Sequence, residues 1–389
     1  MSVSSAPHVL IIGAGSTGSA TAHDLALRGL RVTVVERGEI ASGTTGRNHC
    51  LLHSGGRYCV NDKEGAIECI EENLILRRIM PHALEMNDGL FVALDDEDYA
   101  FKEKFLAGCE ECHIPAREIS VRDALSIEPF LNPNIKAAVQ VPDGVFEPWR
   151  FCTSFLATAK KNGATIRNFT EVRDLVFQGS AVAGVQVFDH RTHKTETLGA
   201  DIVINATGAW AGKLAAMAHV DVPVAPTAGV MVTIGKRFNN MVINRMHKPH
   251  DGDIVVPIRN TSIIGTTSWR VTSADAIEIP QDQIDKMMRA GELLMPILKE
   301  GRQRGVMAVA RPLIASANMD ARDFSRTFEA FNHRKQGSTG GIITISGGKT
   351  TTARGMAEKV SDEVCAELGI QAECKTKTTP LVSYREFYN

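Results

Sequence analysis

Residues 8–18 read HVLIIGAGSTG. His8 to Ile12 is a short, β-branched apolar run, and Gly13-Ala-Gly15-Ser-Thr-Gly18 follows without a break. Ser19 to Arg28 then carries helix formers, with Ala20, Ala22, Leu25 and Leu27 on the apolar side, and Gly29 ends the pattern. Leu30 to Val35 is a second buried strand, closed by Glu36. Strand, tight turn, helix and strand in so short a span predict a β-α-β dinucleotide unit. Gly13 permits the turn, Gly15 lets a pyrophosphate reach bare backbone, and Gly18 lets the helix pack close to the strand. Ser16 and Thr17 stand at the helix start, where unpaired N–H groups and a partial positive charge suit phosphates. Glu36 at the tip of the second strand is placed to accept hydrogen bonds from a ribose.

The motif leaves NAD and FAD open, and three later segments favour FAD. In ADIVINATGAW (200–210) a buried strand runs into Ala206-Thr207-Gly208, ahead of Trp210, and these small residues admit a flat ring system. In GGIITISGGK (340–349) another buried strand ends at Gly347-Gly348-Lys349; Thr350 and Thr351 follow, then a helical pattern from about Thr352 to Leu368. The N-terminus of that helix suits a reduced flavin, which is anionic at its pyrimidine end. TTGRNHCLLHSGGRY (44–58) is too rich in Gly, Ser and Thr for a core strand and carries several basic groups.

Texture divides the chain. The fold class expected is α/β: a discontinuous Rossmann-like FAD-binding domain (1–85, 149–221 and 336–389) with a second α+β substrate domain. That second domain (86–148 and 222–335) is expected to rest on a mainly antiparallel sheet, with one helix near Gln281 to Pro296. The last fifteen residues read as a loosely ordered tail or docking segment. Lys and Arg number 43 against 45 Asp and Glu, a net charge of −2, which makes no electrostatic case for nucleic acid. No apolar run is long enough for a membrane helix, and the N-terminus has no secretory pattern, so a cytoplasmic protein is expected. Cys109 and Cys112 form a C-x-x-C at a helix end, with no second pair at a familiar spacing, so reduced thiols and no metal site are expected.

Six segments together, GRNHCLLHSGGRY (46–58), NATGAWA (205–211), VINRMHKPHDGDIVVP (242–257), IIGTTSWR (263–270), ARPL (310–313) and GGKTTTARGMAE (347–358), resemble FAD-dependent glycerol-3-phosphate dehydrogenases of the D-amino-acid-oxidase-like superfamily. They look most like the flavin-bearing subunit of the anaerobic bacterial enzyme, and they span nearly the whole chain. That subunit's Cys-rich C-terminal extension is expected to be missing here. Three departures, Val309 for Gly, Thr350 for Leu and Ala353 for Tyr, are expected where the substrate sits.

The resemblance implies oxidation of a phosphorylated polyol, with electrons passed to a partner subunit or a quinone, and peripheral contact at the inner face of the cytoplasmic membrane. It implies that Arg57 and Arg311 bind the phosphate, and that His53, Tyr58 and Lys349 surround the reacting carbon. Thr266 and Thr267, a pair at a strand end, would line the substrate wall or simply pack. It also carries Arg37, Thr44, Thr45, Arg47, Asn48, His49, Leu52 and Val172 to the cofactor wall. His53 fits a general base by its titration range, or it hydrogen-bonds the flavin instead, and spacing does not choose between it and His49; Lys349 is the second catalytic candidate, or it neutralises the reduced flavin. Arg245 and Arg270 are further cations near the second domain. Two rivals share the fold: a flavin enzyme for 2-hydroxy or amino acids, with the arginines binding a carboxylate, and a flavin-carrying electron-transfer subunit.

Overall fold

The computed structural model describes residues 6–314 and 327–389. The leader reading on residues 1–5, and the part of the second-domain span at 315–326, lie outside the described residues. The first strand, β1 (His8–Ile12), is apolar at successive positions because both its faces are covered. Val9 and Ile11 point into one core, with Leu25 of helix α1 (Ser16–Leu27) and Phe151 and Phe155 of the helix Pro148–Lys161. Leu10 and Ile12 point the other way, against Leu175, Val182, Val185 and Val187 of a three-stranded antiparallel sheet.

β1 lies inside a six-stranded sheet. Strand β2 (Arg31–Val35) and Ile202–Asn205 flank it in parallel; Thr165–Arg167 pairs with β2, and Ile342–Gly347 with Ile202–Asn205. This register brings the ends of β1, Ile202–Asn205 and Ile342–Gly347 to one edge of the sheet, where the three glycine-bearing segments emerge. Phe328–Asn332 pairs antiparallel with Ile342–Gly347 and so belongs to this first sheet, although the sequence reading put it in the second domain.

The second sheet has nine strands and is antiparallel except where Val242–Arg245 pairs with Gly89–Ala93. Its long ribbon, Val224–Ile234 against Gln303–Ile314, sets Arg311 opposite Thr227. The expected helix runs over Gln281–Leu294. Cys109 and Cys112 close the helix Asp96–Glu111 and pack in an apolar cluster with Cys59, whose sulfur is 3.8 Å from that of Cys109.

The C-terminal segment is not loose. Leu381 N–H donates to Ile79 O at 2.8 Å, at the end of helix α2 (Lys63–Ile79), and Val382 N–H donates to Thr158 Oγ1 at 3.1 Å. Leu381 and Phe387 are buried, and Tyr388 stacks on Trp149.

Candidate active site

The edge where the glycine segments emerge opens into a cavity of about 730 Å³. At one end Gly13 takes φ +106°, and a Cβ there would meet Ala206 O at 2.7 Å. Gly18 does not line the cavity. A Cβ on it would stand 1.9 Å from Gly13 O, so its absence fixes how near α1 comes to β1. Gly15 caps α1 with no side-chain hydrogen bond and no acid in the first turn, which leaves the positive helix end to a ligand anion. Ser16 and Thr17 line the wall beside it. Ser16 N–H donates to Thr45 Oγ1 at 3.0 Å, tying the following loop to the helix start. Glu36 accepts from the N–H groups of Ala14 and Gly38, each at 2.9 Å, and still faces the cavity. Arg37 lies over the Trp210 ring at 4.3 Å, with Val172 on the same lining.

Farther along, Thr44, Arg47, Asn48 and His49 form one wall, and Ala206, Thr207 and Gly208 another. Gly347, Gly348, Lys349, Thr350 and Thr351 close the end. A helix start with no acid in its first turn at one end, small residues along the length and a second helix start at the far end fit an extended flavin dinucleotide.

At the far end His49, His53, Arg57, Tyr58, Arg311 and Lys349 share the lining. His53 is buried, and its backbone is held twice: its N–H donates to Thr351 Oγ1 at 3.1 Å and its carbonyl accepts from Asn73 Nδ2 at 3.1 Å. Its ring stands 5.6 Å from that of His49 and 5.5 Å from that of Tyr58, centre to centre, and Lys349 Nζ lies 4.7 Å over the Tyr58 ring. Burial, with Arg57 and Arg311 nearby, pushes the His49 imidazole down to about 3. His49 Nδ1 accepts the Leu51 N–H at 3.3 Å, so the ring is neutral with its proton on Nε2.

Arg57 donates to the buried Asp253 at 2.9 Å. Arg311 Nη2 donates to Thr266 Oγ1 and to Thr267 O, each at 2.8 Å.

Thr266 and Thr267 both line the cavity; the Thr266 hydroxyl stands beside Arg311, while the Thr267 hydroxyl accepts the Val230 N–H at 3.1 Å. Three expectations need correction. Leu52 is buried in the core beneath the cavity; Leu51 lines the wall instead, because neighbouring strand residues face opposite ways. Arg245 pairs with Asp95 and Asp98 at 2.6 and 2.7 Å, and neither it nor Arg270 lines the cavity. Of the three sequence departures, Val309 and Thr350 line the cavity, but Ala353 is packed in the core. Sequence reasoning also missed Asp253 and the Pro249–Asp251 wall. Both lie inside the matched segment 242–257, which offered the only signal for them.

Residues 8–354 match the model of the FAD dependent oxidoreductase (DAO) family. The chain belongs to that family. It is an FAD-dependent oxidoreductase, and FAD is its cofactor. It is 43% identical over 399 residues to an anaerobic glycerol-3-phosphate dehydrogenase subunit from Haloferax volcanii, covering 98% of this chain and 67% of that one. Against an anaerobic glycerol-3-phosphate dehydrogenase subunit from Escherichia coli K12 the identity is 42%, over 97% of this chain and 70% of that one. Among solved structures, glycerol-3-phosphate dehydrogenase from Bacillus halodurans complexed with FAD superposes with TM-score 0.73 at 24% identity, over 97% of this chain and 68% of that one. L-α-glycerophosphate oxidase from Mycoplasma pneumoniae, with FAD bound, gives 0.75 at 20% identity, over 97% of this chain and 99% of that one. At these identities the two structures speak for the fold.

Proposed function

We propose that this oxidoreductase converts the secondary alcohol of a small phosphorylated polyol to a ketone, with sn-glycerol 3-phosphate as substrate and dihydroxyacetone phosphate as product. The observation that carries this is the meeting of Arg57 and Arg311, from segments far apart in the chain, at the same end of the cofactor cavity as His53, Tyr58 and Lys349. The chain-long identity to subunits of anaerobic glycerol-3-phosphate dehydrogenases supports it. The reading divides the work between a flavin-binding domain and a substrate domain, with the boundaries expected from sequence save that Phe328–Asn332 joins the first.

FAD supplies the two-electron acceptor for the hydride that leaves the substrate carbon. The chain does the rest. A guanidinium presents a planar fork that binds two oxyanion oxygens at once, so Arg57 and Arg311 clamp the phosphate and fix the distance to the carbinol carbon. Positioning of this kind matters because a misplacement of about 1 Å can cost about 100-fold in rate. His53 takes the hydroxyl proton on a ring nitrogen. His49, made a weak base by burial and with its Nδ1 already accepting the Leu51 N–H, leaves that role to its neighbour. Tyr58 and Lys349 line the carbinol end, and Lys349 adds positive charge where the cofactor gains electrons. Electrons leave to a quinone or a partner subunit, not to soluble NAD, through contact with a partner or the membrane surface. Among the described residues no helix is long and apolar enough to cross a membrane.

The test is anaerobic bleaching of the flavin band by glycerol 3-phosphate, longer polyol phosphates, 2-hydroxy acids and D-amino acids. Rapid bleaching by glycerol 3-phosphate alone supports the reading. Bleaching by an unphosphorylated acid overturns the phosphate clamp.

A further inference from the structure

Asp253 stands immediately before the strand Ile254–Ile258 and is buried, at 3% exposure. Each of its oxygens has a partner. Oδ1 accepts from Arg57 Nη2 at 2.9 Å, and Oδ2 accepts from the His250 N–H at 2.8 Å. His247 Nε2 stands 3.4 Å from Oδ2. Burial alone would raise the carboxyl's pKa, but Arg57, His247 and the His250 N–H outweigh it and hold the group at about 2. The carboxylate is therefore charged at neutral pH. It joins two parts of the cavity wall: Arg57, from the loop before α2, and Pro249–Asp251, from the second domain.

We propose that Asp253 is a positioning residue, which grips Arg57 by one edge of its guanidinium so that the remaining N–H donors face the substrate's phosphate, and which locks the Pro249–Asp251 wall to the same cation. The proposal rests on the phosphate reading above. A guanidinium carries five N–H donors in a fixed fork, so one occupied edge leaves others for an oxyanion in a set direction. The opposite role is a carboxylate that merely offsets cationic charge near the substrate. The two roles differ in sign. Loss of a positioning carboxylate weakens anion binding, because Arg57 swings free. Loss of an offsetting one strengthens it.

The experiment uses the FAD-loaded protein, with inorganic phosphate as the probe. Its dissociation constant is read from the perturbation of the visible flavin spectrum, and anaerobic bleaching by glycerol 3-phosphate is followed in parallel. For Asp253→Asn we expect phosphate affinity to fall and the half-saturating glycerol 3-phosphate to rise by about 30-fold or more. The limiting bleaching rate should move much less. Asp253→Glu should restore part of the affinity. Arg57→Ala with Asp253→Asn should be no weaker than Arg57→Ala alone, since the carboxylate acts through that cation.

Unchanged or tighter phosphate binding by Asp253→Asn overturns the proposal, as does full additivity in the double variant. If Asp253→Asn does not load FAD, Asp253→Ser, which also lacks the carboxylate, decides: weakened phosphate binding supports the role, and wild-type binding overturns it. A wild-type protein that neither binds phosphate nor bleaches with glycerol 3-phosphate overturns the proposed function, and this role with it. A responsive wild type beside an indifferent Asp253→Asn overturns the positioning role alone.

Discussion

Replacing Gly18 by Ala probes the join between the sheet and the cofactor. The added Cβ would lie 1.9 Å from Gly13 O, 3.0 Å from Gly13 C and 3.4 Å from Ala206 Cβ. A carbon rests against a carbonyl oxygen at about 3.3 Å even in a close C–H···O contact, so more than about 1 Å of movement is required. β1 cannot give way. It is paired on both sides, and Gly13 N–H is itself bonded to Val35 O at 2.8 Å. The start of α1 must move instead, carrying the N–H groups that face the cofactor phosphates. Overpacking of this kind costs about 1–3 kcal/mol. Expressed wholly in cofactor binding, that is a rise of about 5- to 150-fold in the FAD dissociation constant. Titration of apoprotein with FAD, followed by quenching of flavin fluorescence, measures it. Gly305→Ala is the control, since a Cβ there meets nothing within 4 Å. A Gly18→Ala protein that binds FAD as tightly as wild type, with an unchanged melting temperature, would refute the steric argument.

Three further outcomes follow from other sites. His23 on α1 is fully buried with neither ring nitrogen hydrogen-bonded among the described residues, and burial lowers its pKa to about 4. Between that value and its ordinary 6.5 the unfolded chain binds the extra proton, so stability falls with falling pH, by about 2 kcal/mol at pH 5 relative to pH 7.5; His23→Leu should remove that loss in denaturant titrations at the two pH values. Arg311→Ala removes a charged donor facing the cavity, and the half-saturating glycerol 3-phosphate in anaerobic bleaching should rise by about 10- to 150-fold. Arg354, at the start of the helix Ala353–Leu368, is buried and donates to both oxygens of Glu72 on α2; Arg354→Met should cost about 3–5 kcal/mol in unfolding experiments, because it strands the Glu72 carboxylate, whereas Arg354→Met with Glu72→Leu should recover much of it.

Local features were legible in the sequence. The glycine turn, the small residues of Ala206–Gly208 and the Gly347–Lys349 strand end carry their chemistry within a few neighbouring residues, and all three reach the same cavity. β1 was readable as a strand because four of its five residues are apolar and both of its faces are covered. Features that needed a partner were not. Asp253 is 196 residues from Arg57, and nothing around it announces the pairing. Leu51 and Leu52 differ only in which face of a strand they occupy, which a repeated Leu cannot reveal. Thr266 and Thr267 raise the same problem: the sheet takes one hydroxyl and the cavity the other. The C-terminal segment looked loose because the surface that orders it is built by α2 and the helix Pro148–Lys161, both more than 200 residues earlier.

The central claim is that Arg57 and Arg311 select a substrate by its phosphate. The most direct measurement compares anaerobic flavin bleaching by glycerol 3-phosphate and by glycerol in one preparation, with inorganic phosphate added to the first. The account predicts rapid, saturable bleaching by glycerol 3-phosphate, competitive slowing by inorganic phosphate, and no comparable bleaching by glycerol. Equal bleaching by glycerol, or glycerol 3-phosphate bleaching untouched by phosphate, would contradict it.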